Sequence, residues 1–324
     1  MQKTVAHDKS FFAYIAPGAI HAPQHATPES IAKYKSKFDM GWDKMREEIF
    51  ARQKEMGIIP PDAELTPRPE EIPSWDSMDA RQKKVMAHMM EVAAGQLSQV
   101  DYNFGRVMDA IDALGQADNT LVIFVIGDNG GSGEGTLQGV FNDMNIVSQS
   151  TETLDYLESH MDDMGSWKSS NLYGVPWAWA TNTPFKWTKQ VASHFGGTRN
   201  GLVISWPNGI KAHGEIRPQF SHVIDIVPTI LEAAHLPQPV SVDGVDQAPI
   251  QGVSMVYTFD DAKAEDRRKT QYFEIFGNSG IYHDGWFAGT TPVPPAVERR
   301  RDRRGRADDE MGALQHRRGF HPGA

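Results

Sequence analysis

The sequence predicts an α/β protein with helices on both faces of a mostly parallel mixed sheet and a small α+β unit at its C-terminal end. Three observations carry this reading. Residues 121–126, Leu-Val-Ile-Phe-Val-Ile, form an apolar strand without polar alternation, the pattern of a strand covered on both faces. Residues 79–114 read as one long amphipathic helix, and residues 225–236 as a shorter apolar one. The chain of 324 residues is 40% hydrophobic and 10% aromatic, enough for a sizeable core.

The elements follow in order. Residues 11–16 (FFAYIA) are a short apolar run of strand type, stopped by Pro17 and Gly18. Residues 19–26 read as a loop. Thr27 has the chemistry of an N-cap, with Pro28 at the first helical position and Glu29 in the first turn. A second helix is expected over 42–56, with Gly57 as its C-cap. Proline makes residues 60–73 irregular. Asp79 opens the long helix, whose Val85, Met89, Val92, Val100, Phe104, Val107, Ile111 and Leu114 fall largely on one stripe, and Gly115 ends it. After the apolar strand, residues 130–184 lack long periodicity and read as an elaborate loop region. Residues 202–205 are a short strand stopped by Trp206-Pro207-Asn208-Gly209. Pro228 is tolerable in the helix over 225–236 only because it falls in the first turn. Residues 271–276 and 281–288 read as strands of the closing unit.

Composition narrows the function classes. A formal charge of -10 argues against a general nucleic-acid binder. No apolar stretch approaches the roughly 20 residues of a membrane span, and the opening residues lack the apolar core of a secretory signal, so a cytoplasmic place is the default. The charge is uneven. Eight arginines and no lysine crowd the last 27 residues, leaving 24 basic and 37 acidic residues upstream. Residues 293–324 therefore read as a disordered or frame-shifted tail. There is no cysteine, which removes disulfides, thiolate metal sites and cysteine nucleophiles together.

Three segments could carry chemistry. Gly127-Asp128-Asn129-Gly130-Gly131 follows the apolar strand, where sites of open α/β sheets gather. Asp128 and Asn129 offer hard oxygen ligands suited to calcium or magnesium. The same text also suits a tight turn, and the residues alone weigh the two readings evenly. His21 lies in a Pro/Gly-bounded loop past a strand end. Its i, i+4 partner His25 is separated from it by Pro23, which breaks the helix that a zinc pair would need. Residues 186–199 set lysines beside Gly196 and Gly197, a pattern suited to an oxyanion, though taken alone the segment reads as an ordinary basic loop.

Taken together, these segments resemble the arylsulfatase family of the alkaline-phosphatase-like fold. The matching pieces occur in family order: FFAYIAPGAIHAP, KYKSKFDMGWDKMREEIFARQKEMGIIP, DNTLVIFVIGDNGGS, WTKQVASHFGGTRNGLVISWPNGI and SHVIDIVPTILEAAHLPQP. PIQGVSM and the strand around Ile281 also match, so the resemblance covers about residues 8 to 292. It implies hydrolysis of a small-molecule sulfate monoester with a divalent cation, usually calcium, and a formylglycine nucleophile made from Cys or Ser in C/S-x-P-x-R. It further implies that Asp128 and Asn129 are metal ligands, that His21 contacts the sulfate and the leaving oxygen, and that Lys189 binds sulfate, in a register one residue longer than the commonest pattern.

The departure is as informative. There is neither a cysteine nor a Ser-x-Pro-x-Arg, and the family's first aspartate pair is missing. The expectation is a partial catalytic domain over residues 1–255, incomplete at the N-terminus, and the start of a small subdomain over 256–292. Such a chain should be inactive alone, and a missing N-terminal half or an oligomer should cover an exposed sheet edge. A phosphate or phosphonate ester hydrolase of the same superfamily, or a non-catalytic calcium- or partner-binding remnant, are the alternative readings. Relatives are often exported.

Overall fold

The computed structural model describes residues 9–148 and 150–290; the Arg-rich tail from residue 293 lies outside them. The α/β class holds, with the helices and strands distributed as follows.

Thr27 accepts from the Ser30 amide and opens α1 (Pro28–Ala32). Helix α2 (Gly41–Glu55) ends at Met56, and Gly57 takes the left-handed conformation (φ 69°) that stops it. Asp79 and Gln82 form a capping box at the start of α3 (Ala80–Asp112). Only the N-terminal half of α3 is deeply buried: Val85, Met89 and Val92 are fully enclosed, while the stripe beyond Gln96 is partly exposed. The core lies there. Trp42 of α2, Trp75 and Trp177 meet edge-on or tilted at 4.7–5.7 Å between ring centres. Each indole N–H finds an acceptor: Trp42 donates to Pro73 O (3.0 Å) and Trp177 to Met86 O (2.9 Å).

Trp177 belongs to α6 (Val175–Thr181), which follows α4 (Met144–Ser148) and α5 (Leu154–Ser159). The sequence suggested loop throughout this region. Instead α6 is a helix buried from Pro176 to Ala180, started by Gly174 and Pro176, and its run of apolar residues leaves no amphipathic period to detect.

The strands differ more. β1 (Val122–Ile126) pairs antiparallel with β2 (Gly201–Ser205), in register Val122↔Ser205 to Ile126↔Gly201. Among the described residues this sheet has only these two strands, so β1 is not the doubly covered member of a parallel sheet. Val125 and Ile126 are 40% and 48% exposed; α3 covers the strand through Phe104 against Phe124 (4.7 Å). Residues 11–16, expected to be a strand, have no ladder partner and are exposed, with Phe11 and Phe12 near Val107 and Ile111 of α3. Apolar text alone makes no strand without a neighbour to pair with.

Helices α7 (Phe195–Thr198) and α8 (Ile226–Ala233) and the short pair β3 (Ser241–Val242) and β4 (Val245–Asp246) lead to a three-stranded antiparallel sheet. It comprises β5 (Thr270–Ile275), β6 (Asn278–His283) and β7 (Trp286–Gly289). The expected strand over 281–288 is thus two strands, broken where Asp284 and Gly285 both take positive φ. Asp225, 1% exposed, accepts from the amides of His222 and Val253 and from the Arg268 guanidinium, tying the start of α8 to the approach to β5.

Candidate functional site

Two glycine pairs build the site. The ladder Ile126↔Gly201 brings the end of β1 beside residues 199–200. Gly127 then turns at φ 79°, and Gly130 donates from its backbone N to Gly197 O (3.2 Å). A side chain at Gly130 would put its Cβ 1.6 Å from Gly196 O, and one at Gly196 would meet Lys186 O at 2.1 Å. Only glycine permits this approach. The loop that carries Asp128 and Asn129 is thereby clamped to the loop that carries Lys189, whose own amide donates to Gly131 O (3.1 Å). The tight-turn reading of residues 127–131 does not hold, because the chain leaves β1 without forming a hairpin.

His21 arrives from the other side of the molecule. Its segment is tied down at both flanks: Gln96 donates to His21 O (3.3 Å) and Pro23 O (3.2 Å), and buried Gln24 accepts from the Tyr173 amide (3.2 Å). His25 does not join His21; its Nε2 lies 2.7 Å from Ser169 O. The His21 ring is anchored through Nδ1 at 2.7 Å from Ala22 O, leaving Nε2 3.1 Å from Lys189 Nζ. Residues 168 positions apart in the chain therefore share one contact.

Glu134 completes the cluster and escaped the sequence reading, because Gly133-Glu134-Gly135 reads as turn text. Its carboxylate accepts from Lys189 Nζ (3.0 Å), Gln190 Nε2 (2.7 Å) and Ser132 Oγ (2.8 Å). Burial pushes the Glu134 carboxyl up, but the bonds from Ser132 and Lys189 and the charges of Lys189 and His21 outweigh it and hold it below the ordinary carboxylate value. Asn182 and Asn200 were also missed. Asn182 accepts from the Gly131 amide (2.8 Å). The Asn200 amide, with its nitrogen toward Asn129 O (2.8 Å) and its oxygen toward Asn129 N (3.1 Å), fixes the Asn129 backbone.

Asp128 and Asn129 stand next to this cluster but contact each other: Asn129 Nδ2 donates to Asp128 Oδ1 (2.7 Å). Asp128 is exposed and Asn129 half-buried. Their oxygens are the hard donors calcium takes, yet calcium binds six to eight of them. Among the described residues no group of three or more His, Cys, Asp or Glu side chains could hold a metal ion. The pair can supply one side of a coordination sphere and does not make a calcium site by itself.

A cavity of about 500 Å³ opens between these loops and the C-terminal sheet, bounded by Asn129 and Lys189 on one side and by β5 on another.

Comparisons with known proteins agree on one family. The sulfatase family model matches residues 2–236. The chain is 34% identical over 234 residues to an uncharacterized sulfatase of Schizosaccharomyces pombe, covering 71% of this chain and 40% of that protein. It is 29% identical over 253 residues to an arylsulfatase of Klebsiella aerogenes, covering 78% of this chain and 52% of that protein. The chain thus spans about half the length of the curated relatives it matches. Among solved structures it is similar to a Bacteroides fragilis protein assigned as a sulfatase, with TM-score 0.41 and 15% identity, over 83% of this chain and 41% of that one.

Proposed function

The chain belongs to the sulfatase family, and from that premise we propose that it carries the sulfate-holding half of a sulfuric ester hydrolase site. The observation that carries the reading is the contact between Lys189 Nζ and His21 Nε2 at 3.1 Å, beside the loop of Asp128 and Asn129. In this reading the Lys189 ammonium binds a sulfate oxygen as a point charge, and Glu134 holds that ammonium in place. His21, its Nδ1 held on Ala22 O, accepts from Lys189 at Nε2; once a sulfate oxygen takes the Lys189 hydrogen bond, Nε2 is released to carry a proton to the oxygen of the departing alcohol. Asp128 and Asn129 would contribute two oxygens to the divalent cation that the resemblance implies, which would neutralise sulfate charge.

The same reading makes the 324-residue chain inactive by itself, because it contains no cysteine and no Ser-x-Pro-x-Arg from which the nucleophile could come. A covering partner, either another chain or a second copy, would lie against the edge of β1 that has no ladder partner among the described residues. Calorimetric titration of the purified chain tests the binding half. Inorganic sulfate should bind, Lys189→Ala should weaken it at least tenfold, and phosphate should bind no more tightly. Sulfate binding that is indifferent to Lys189→Ala would overturn the reading, and tighter binding of phosphate would favour a phosphate ester instead.

A further inference from the structure

The segment that presents Lys189 is held in a conformation its own residues do not favour. Trp187 and Gln190, on either side of it, both take positive φ (67° and 73°). That region is unfavourable for a residue with a Cβ, and it persists only where the surroundings impose it. At Gln190 two contacts do so. Its side-chain Nε2 donates to Glu134 Oε1 (2.7 Å), and its carbonyl accepts from Asn278 Nδ2 (3.2 Å).

Asn278 comes from a different part of the fold. It opens β6 opposite Ile275, just after a two-residue turn in which Phe276 and Gly277 both take positive φ (53° and 81°), the geometry of a tight hairpin. It is buried, and its hairpin is packed hard against the segment that follows Lys189. A Cβ at Gly280 would sit 2.9 Å from Ala192 O, and one at Gly289 would sit 2.2 Å from Ser193 O. Asn278 therefore delivers its amide from a fixed platform. The line of contacts runs from Asn278 to Gln190, from Gln190 to Glu134, and from Glu134 to Lys189 Nζ (3.0 Å). Gln190 and Lys189 grip the two oxygens of one carboxylate, Oε1 and Oε2, so a movement of one donor turns the acceptor of the other.

We propose that Asn278 is a positioning residue of the sulfate anchor: by holding the Gln190 carbonyl it keeps Glu134 turned so that the Lys189 ammonium stays in one orientation. The inference rests on the reading of Lys189 as that anchor. It extends the site beyond residues 2–236, the stretch matched to the sulfatase family, and makes the C-terminal hairpin part of the anion-binding machinery. Without Asn278, Gln190 would relax to negative φ, its side chain would leave Glu134, and Lys189 would lose its fixed direction. Sulfate would then have to order a lysine that samples several rotamers, which weakens binding.

Calorimetric titration of the full chain with inorganic sulfate tests it in a double-mutant cycle. Asn278→Ala should weaken sulfate binding about fivefold, the scale of one hydrogen bond, with one site per folded chain retained. Gln190→Gly takes positive φ without strain but has no amide for Glu134, and should also weaken it about fivefold. Because the two act through one line of contacts, the double variant should lose about fivefold, not the roughly 25-fold product of independent effects. A purely structural role for Asn278 would lower the melting temperature and the number of binding-competent chains but leave the affinity of the folded fraction alone. Should Asn278→Ala not fold, Asn278→Ser takes its place in the cycle. Unchanged affinity in a folded Asn278 variant, or losses that multiply, would overturn the inference and leave the anchor standing. Sulfate binding that is absent from the parent chain, or that survives Lys189→Ala, would remove the anchor and the inference with it.

Discussion

Replacing Arg46 by alanine should destabilise the protein by about 3 kcal/mol, because its guanidinium is buried and held only by neutral acceptors. Arg46 is 1% exposed, and among the described residues no carboxylate pairs with it. Its guanidinium instead donates to three carbonyls, Trp179 O (2.9 Å), Pro184 O (3.1 Å) and Phe185 O (3.1 Å), and to the hydroxyls of Thr66 (2.8 Å) and Thr183 (3.2 Å). It also lies 4.4 Å from the Trp179 ring centre. The four N–H groups of Nη1 and Nη2 share these five acceptors, and at about 1.5 kcal/mol for each charged donor at the low end they contribute roughly 6 kcal/mol. Burial opposes this: it lowers the guanidinium pKa from its ordinary value to about 10, a cost of about 3 kcal/mol. The balance favours the arginine, and alanine would leave three carbonyls without it. Arg46→Lys keeps a charge but not the fork, and should cost about 2 kcal/mol. Urea unfolding followed by tryptophan fluorescence reads this directly, since Trp42, Trp177 and Trp179 are buried around the site. A cost below about 1 kcal/mol for Arg46→Ala would refute the reasoning, as would an Arg46→Lys variant equal to the parent. The consequence is functional, because residues 184 and 185 lead directly into the loop of Lys189.

The same logic gives further expectations. Gly196→Ala drives a Cβ to 2.1 Å from Lys186 O and 2.2 Å from Trp187 O. It should cost about 2 kcal/mol or more and abolish sulfate binding; an unchanged melt with intact binding would contradict the glycine clamp. Because the folded-state value of the Glu134 carboxyl is depressed, its contribution is present above the unfolded value near pH ~4.3 and is lost as pH falls through the lower folded value. With its side chain 32% exposed, that contribution is about 0.5 kcal/mol. The stability gap between the parent and Glu134→Gln should close in acid, and a gap that widens there would reverse the sign. Arg268→Met leaves the buried Asp225 carboxylate uncompensated and should cost about 3–5 kcal/mol in a denaturation series; a loss under about 1 kcal/mol would contradict the role given to the pair.

Local signals in the sequence carried the helix boundaries. Thr27, Asp79, Gly57 and Gly115 each act through atoms within four residues, so their meaning is present in the text that contains them. Strand partners are not. The apolar run at 121–126 reads as doubly covered because hydrophobicity reports affinity for cover, and nothing in it reports which neighbours supply that cover. Helix α6 hid for a related reason: Gly174-Val175-Pro176 is a helix start, but an unbroken apolar run shows no period. Site residues divide along the same line. His21, Asp128, Asn129 and Lys189 could be named from their motifs, and the structure brings His21 and Lys189 into contact beside the other two. Glu134 had no motif of its own, and acquires a role only through a lysine 55 residues away.

We propose that this chain holds sulfate-binding and cation-binding residues of a sulfatase without the group that attacks sulfur. Hydrolysis of 4-nitrophenyl sulfate by the purified 324-residue chain, with calcium in excess, is the decisive measurement. No release of 4-nitrophenol above the uncatalysed rate is expected. Turnover that is abolished by Asp128→Ala would contradict it, because the chain would then contain a nucleophile that its sequence does not reveal.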